Sequence, residues 1–223
     1  MNGLVLSRFL GMALAIGGVG AASTGDCEEI AATAEVTSGA LTPSGPGRFR
    51  TRSGNFRANF AGAKRRHVGL RFKYRGPSQG MIPLASGEER RQIGLKLRAA
   101  DSCNLIYVMW HLAPSHEIEV SVKHNPGQSR HEECRDHGYR FIRPSWQWDQ
   151  LRPIEPGEQR DLRASLRGRQ LKVWTDGRLA WRGTLPEEIF QFDGPAGVRS
   201  DNGEFEIEPE LDLPAEAIRG EAQ

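Results

Sequence analysis

Between His67 and Arg75 apolar and basic residues alternate along the chain, with Val68, Leu70, Phe72 and Tyr74 on one side and Arg71, Lys73 and Arg75 on the other. Only an extended backbone, whose successive side chains point to opposite faces, sorts such a sequence into a dry and a wet surface. The same period of two recurs at Ile93, Leu95 and Leu97, and again at Ile118, Val120 and Val122. Residues 105 to 110 form a continuous apolar run instead, the pattern of a central strand covered on both faces. Leu162, Ala164 and Leu166, then Leu171 and Val173, then Leu179 and Trp181 read as a meander. Its Asp176-Gly177 pair predicts a two-residue hairpin, because both central positions need positive φ. Phe205 and Ile207, set between Glu204, Glu206 and Glu208, predict a closing strand. No segment after residue 66 keeps a 3.6-residue apolar period, and turn signals recur roughly every 8 to 12 residues. The expectation is an all-β fold, one antiparallel β-sandwich over residues 48–212, with a C-terminal tail at 213–223.

The N-terminus has a different character. Arg8 is its one charge, residues 9–19 are apolar, and Gly20, Ala21 and Ala22 supply small residues for cleavage, so residues 1–22 predict a signal peptide. The uncharged stretch falls short of the ~20 residues that span a bilayer, so no stable membrane insertion of the mature chain is expected. The predicted location is secreted, periplasmic or extracellular. Residues 23–47, rich in Ala, Thr, Ser, Gly and Pro, predict a flexible leader. In an exported chain three cysteines suggest one disulfide and a remaining thiol. Cys103 with Cys134 is the preferred pair, worth on the order of 3 kcal/mol by chain entropy, and a bridge from Cys27 stays open as the alternative.

A net charge of +2 carries no overall nucleic-acid footprint. The charge is uneven, however: Arg48, Arg50, Arg52, Arg57, Arg71, Lys73 and Arg75 lie in an acid-free stretch, whereas Glu204, Glu206, Glu208 and Glu210 crowd the other end. An antiparallel pairing of 68–75 with 204–208 would bring the two sets face to face, at roughly 0.2 to 1 kcal/mol per opposite-charge pair. The rival is that the basic face stays open for an anionic polymer.

The order of strands resembles the concanavalin A-like lectin and glucanase superfamily, including laminin G-like and keto-disaccharide hydrolase-like domains. The residues that carry the resemblance are Arg91 to Arg98, Cys103 to Trp110, Leu171 to Gly177 and Gly194 to Asn202. It implies a jelly-roll sandwich whose members bind or cleave glycans, and fold alone does not choose between those roles.

Several residues are candidates for a site. Glu204 and Glu206 resemble the acidic strand of the glucanases, where a carboxylate pair serves as nucleophile and general acid. A solvated polar-out face explains them equally well. His111 could do acid/base work. His131, Cys134 and His137 have metal-like spacing, but Arg135 stands where a second His four residues after His131 would be needed and Cys134 is better used in a disulfide, so no metal site is expected. His116 reads as a strand-end histidine. Trp146 and Trp148, in a Pro-bounded segment, could stack on sugar rings or fold back into the core. Arg199, Asp201 and Asn202 could hold a ligand hydroxyl or a calcium ion, or form a plain turn. Neither a Gly-x-Ser-x-Gly elbow nor a phosphate-cradling glycine loop is present. The function expected is a secreted carbohydrate-binding domain with a glycan as partner. The alternatives are a glycoside hydrolase or polysaccharide lyase of the same fold, and a structural cell-envelope or adhesion module.

Overall fold

The computed structural model describes residues 34–60, 66–84 and 86–211. The signal peptide, Cys27 and the C-terminal tail lie outside the described residues. Two antiparallel sheets face each other. The first has seven strands in the order β1 (Ala34–Ser38), β4 (Asn55–Phe60), β14 (Gly197–Asp201), β6 (Arg91–Leu97), β7 (Leu105–Ala113), β8 (Ile118–Lys123) and β9 (Tyr139–Phe141). The second has eight, in the order β10 (Trp146–Gln147), β13 (Arg178–Thr184), β12 (Gln170–Thr175), β11 (Gln159–Arg167), β5 (His67–Pro77), β15 (Gly203–Glu210), β3 (Arg48–Thr51) and β2 (Thr42–Gly45).

The alternating apolar residues meet between the sheets. Phe56, Ile93, Leu95, Val108, Trp110, Val120 and Val198 from the first pack on Leu70, Phe72, Leu162, Val173, Trp181, Phe205 and Ile207 from the second. Phe72 meets Trp110 and Phe205 edge-on, with centroids 5.7 and 5.9 Å apart, the arrangement that ring quadrupoles favour. β7 lies inside its sheet, as its unbroken apolar run predicts. Its second face carries Leu105, Tyr107 and Met109, which form a smaller cluster with Ala99 and Tyr139.

The turn chemistry follows the sequence. Asp176 and Gly177 take φ of 51° and 76° between β12 and β13, the paired positive values of a primed hairpin turn. Cys103 is bridged to Cys134 in the four-residue helix α1 (His131–Cys134). β5 and β15 are antiparallel neighbours, with Glu208 opposite Arg71 and Glu206 opposite Lys73. Arg71 binds Glu208 and Glu210 at 3.0 and 2.6 Å, and Arg75 binds Glu206 at 2.7 Å. The two charge-biased ends of the chain are therefore complementary.

The start of the sandwich differs from expectation. The predicted leader contributes β1 and β2, one edge strand to each sheet. Neither alternates in hydropathy, because each is held mainly by backbone bonds to one neighbour, β1 to β4 and β2 to β3, and buries little side-chain surface.

Candidate functional site

On the seven-stranded sheet, strand alternation that turns Ala58, Leu95, Val108 and Val120 inward turns their neighbours to the outer face. Lateral register builds three rows there. One runs Asn59, Gly197, Lys96, Tyr107, Ser121, and the next runs Arg57, Arg199, Gly94, Met109, Glu119. The third runs Asn55, Asp201, Gln92, His111. Gly94 has no room for a side chain: an added Cβ would lie 2.1 Å from the Val108 carbonyl oxygen and 2.7 Å from the Met109 Sδ that packs over it.

Asp201 is the hub. Its carboxylate accepts from Gln92 Nε2 at 2.6 Å, Arg199 Nε at 2.8 Å and Arg57 at 3.5 Å. The Arg199 guanidinium lies 4.9 Å from the Tyr107 ring, which stacks beside Tyr139 at 6.2 Å. Burial works against the Arg199 charge, but Asp201, Tyr107 and Tyr139 outweigh it and raise its pKa. Burial, then Tyr107, pushes Tyr139 up to about 12. Lys96 donates to Asn59 Oδ1 at 2.5 Å, and Lys123 donates to the carbonyls of Ser102 and Arg135 at 3.2 and 2.6 Å. Burial lowers both lysines to about 8, helped by the charges of Arg57 and Arg199. The buried Oε1 of Gln92, beside the hub, has no hydrogen-bond partner among the described residues.

The predicted site residues divide between locations. Arg199 and Asp201 share this face, and His111 lies next to Gln92 in the third row. His111 is buried and faces Arg90 at 3.2 Å, Glu117 at 3.6 Å and Glu119 at 3.7 Å. Burial pushes Glu119 up, but His111 and Arg90 together hold its carboxyl below the usual range. Asn202 turns away. Its side chain accepts from the Ile82 amide and donates to the carbonyls of Ile82 and Arg90, propping the segment before β6.

Glu204 and Glu206 are on the opposite sheet. Glu206 is caged by Arg75, Arg50 and Arg48 at 2.7, 3.6 and 3.8 Å. The hydrogen bond from Arg75 leads in holding its carboxyl below the ordinary value, the reverse of what a general acid needs. Trp146 is 39% exposed at the edge of the eight-stranded sheet. Trp148 packs against the core under the Arg178 guanidinium, 4.4 Å from its ring. Trp110 and Trp181 are core residues. Cys134 is spent in the disulfide, and among the described residues no group of three or more His, Cys, Asp or Glu is placed to hold a metal. Around Asp201 stand two guanidiniums and an amide, donors rather than the oxygen ligands calcium requires.

Sequence reasoning missed Gln92, Lys96, Tyr107, Lys123 and Tyr139. Gln92, Lys96 and Lys123 were legible as polar members of alternating strands, but Tyr107 was hidden in an apolar run and Tyr139 lies on a three-residue strand.

No family model matches the chain, and no curated protein sequence matches it. Among solved structures, the carbohydrate-binding module CBM66 from Bacillus subtilis is similar at a TM-score of 0.55 and 12% identity, over 80% of this chain and 95% of that one. The fold is a jelly roll. Domain 4 of AbnA, an extracellular arabinanase from Geobacillus stearothermophilus, is similar at a TM-score of 0.43 and 13% identity, over 84% of this chain and 87% of that one. The GH43 protein BlXynB from Bacillus licheniformis reaches a TM-score of 0.46 at 12% identity, over 75% of this chain and 34% of that one. Of these three, CBM66 alone exceeds 0.5, and at such low identity it speaks to the fold. Among the described residues no helix is long and apolar enough to cross a membrane.

Proposed function

We propose that the protein is an exported carbohydrate-binding module whose ligand lies on the outer face of the seven-stranded sheet. The observation that carries this reading is the Gln92–Asp201–Arg199 network, flanked by Tyr107 and Tyr139. Fixed amide, carboxylate and guanidinium groups suit hydroxyl recognition, and an aromatic flank suits the apolar faces of sugar rings. The buried Gln92 Oε1 lacks a hydrogen-bond partner among the described residues, and a hydroxyl reaching it would supply one.

Binding is favoured over hydrolysis on this face. Asp201 and Glu119 are three strand spacings apart, about 14 Å, whereas a glycosidase pair stands ~5 to 9.5 Å apart. Trp146 extends the reading as a secondary contact at the edge of the other sheet.

Affinity electrophoresis through gels containing neutral and anionic polysaccharides, each then stained for polymer, tests the proposal. Retardation without clearing, reduced by Gln92→Ala, is the expected result. Clearing of the polymer would make the protein an enzyme, and free migration in every gel would remove the glycan as partner. Export predicts a secreted protein whose N-terminal sequence begins near residue 23.

A further inference from the structure

Arg57, Lys96, Lys123 and Arg199 come from four different strands to the outer face of the seven-stranded sheet. Among the described residues, Asp201 is the one carboxylate bonded to any of them, and it is shared by Arg57 and Arg199. Lys123 spends its hydrogen bonds on two backbone carbonyls. The Lys96 ammonium has three donors and one bond, to Asn59. Lys96 and Lys123 are nearly fully buried, where an uncompensated charge is costly. A packed fold ordinarily avoids such a surplus. Here it persists beside the buried, unpartnered Oε1 of Gln92, with the side chain of Arg57, 27% exposed, where solvent reaches the group.

We infer that the glycan bound on this face is acidic, with a sugar carboxylate or sulfate seated against Arg57, Lys96 and Arg199. The inference rests on the carbohydrate-binding reading above. One added anion would give Lys96 its missing partner, relieve the repulsion between Arg57 and Arg199, and leave Asp201 in place to orient both guanidiniums. The basic groups of the eight-stranded sheet offer no equivalent: Arg48, Arg50 and Arg75 are exposed and converge on Glu206.

The affinity should depend on pH. Lys96 faces Arg57 and Arg199, with Glu35 as a weaker counter-charge. Lys123 faces the same arginines, with Asp101 and Asp136 opposed to them. Both lysines lose their protons near pH 8, while Tyr139 stays neutral and Arg199, its pKa raised by Asp201, stays charged. Anion binding is therefore strongest below pH 8 and weakens through pH 9.

The test uses the full-length protein with three probes: polygalacturonate, dextran sulfate and unmodified dextran. Retention by either anionic polymer and none by dextran is expected. Polygalacturonate alone would identify a carboxylate, dextran sulfate alone a sulfate. Lys96→Met and Arg57→Gln should each weaken binding about tenfold, the effect of losing one charged hydrogen bond. The Arg48→Gln/Arg50→Gln variant should bind like the parent. Lys96→Met should also melt higher than the parent, so its loss of binding is not a failure to fold. Equal retention by dextran, pH-independent binding, or loss confined to the Arg48/Arg50 variant would overturn the acidic ligand and leave glycan binding standing. No retention by any polysaccharide would overturn both.

Discussion

Asn202 illustrates how a turn residue can look like a ligand-binding residue. Its φ is 57°, a conformation Asn tolerates better than most residues, and its amide joins two chain segments about 120 residues apart in sequence. Asn202→Ala would leave the Ile82 amide and the carbonyls of Ile82 and Arg90 without this partner in a part-buried setting. A loss of about 2 to 4 kcal/mol is expected from three such bonds, read as a lower urea midpoint with unchanged slope. Asn202→Asp should do no better, since a carboxylate would face two carbonyl oxygens. Glycan binding, in contrast, should follow Gln92, which has an acceptor to spare. The Asp-Asn-Gly sequence alone could not separate these roles, because a turn and a ligand loop use the same residues for the same backbone reasons.

The β5–β15 pair shows what strand alternation does predict. Opposite-charge bias at the two ends of the chain, with period two in both, implied their pairing, and the register places Glu208 against Arg71. Glu206, held below the ordinary carboxylate value first by its hydrogen bond from Arg75, contributes stability that is present above the unfolded-state value and lost as pH falls through the folded one. Glu206→Gln should therefore cost less than about 1 kcal/mol at pH 7, given the exposed arginines, and the difference from the parent should vanish on acidification. Thermal melts between pH 3 and 7 check this. A difference that grew on acidification would mean the arginine cage is not what Glu206 serves. β1 and β2 were illegible for the opposite reason: edge strands of mixed polarity carry no periodic signal, and backbone pairing is not written in side chains.

Over the whole molecule, the buried lysines link stability to binding. Lys96 drops to about 8 from an ordinary 10.5, so above pH 8 the unfolded chain holds more protons than the folded one and stability rises with pH until about 10.5. The folded state thus carries the cost of the charge at neutral pH. Lys96→Met should remove it, raising stability at pH 7 by on the order of 1 to 3 kcal/mol and flattening the melting profile between pH 8 and 10. A steep profile retained in Lys96→Met would assign the titration to Lys123 instead. Stability sacrificed at a functional position is a common trade.

Hydropathy of period two and Asp-Gly turn chemistry were enough to specify an all-β sandwich, because both depend on local backbone geometry. Charge bias favoured the β5–β15 pair and the cysteine count favoured Cys103 with Cys134, but an open basic face and a bridge from Cys27 stayed as rivals until the tertiary structure chose. The polar face of the seven-stranded sheet was not legible in the same way. Gln92, Lys96, Tyr107, Tyr139, Arg199 and Asp201 are scattered over a hundred residues of chain; Arg199 and Asp201 stood out only as neighbours of a turn, and each of the others alone reads as an ordinary strand residue. Only the order β4-β14-β6-β7-β8-β9 brings them into adjacent rows, since lateral neighbours in a sheet are chosen by topology and register rather than by proximity in sequence.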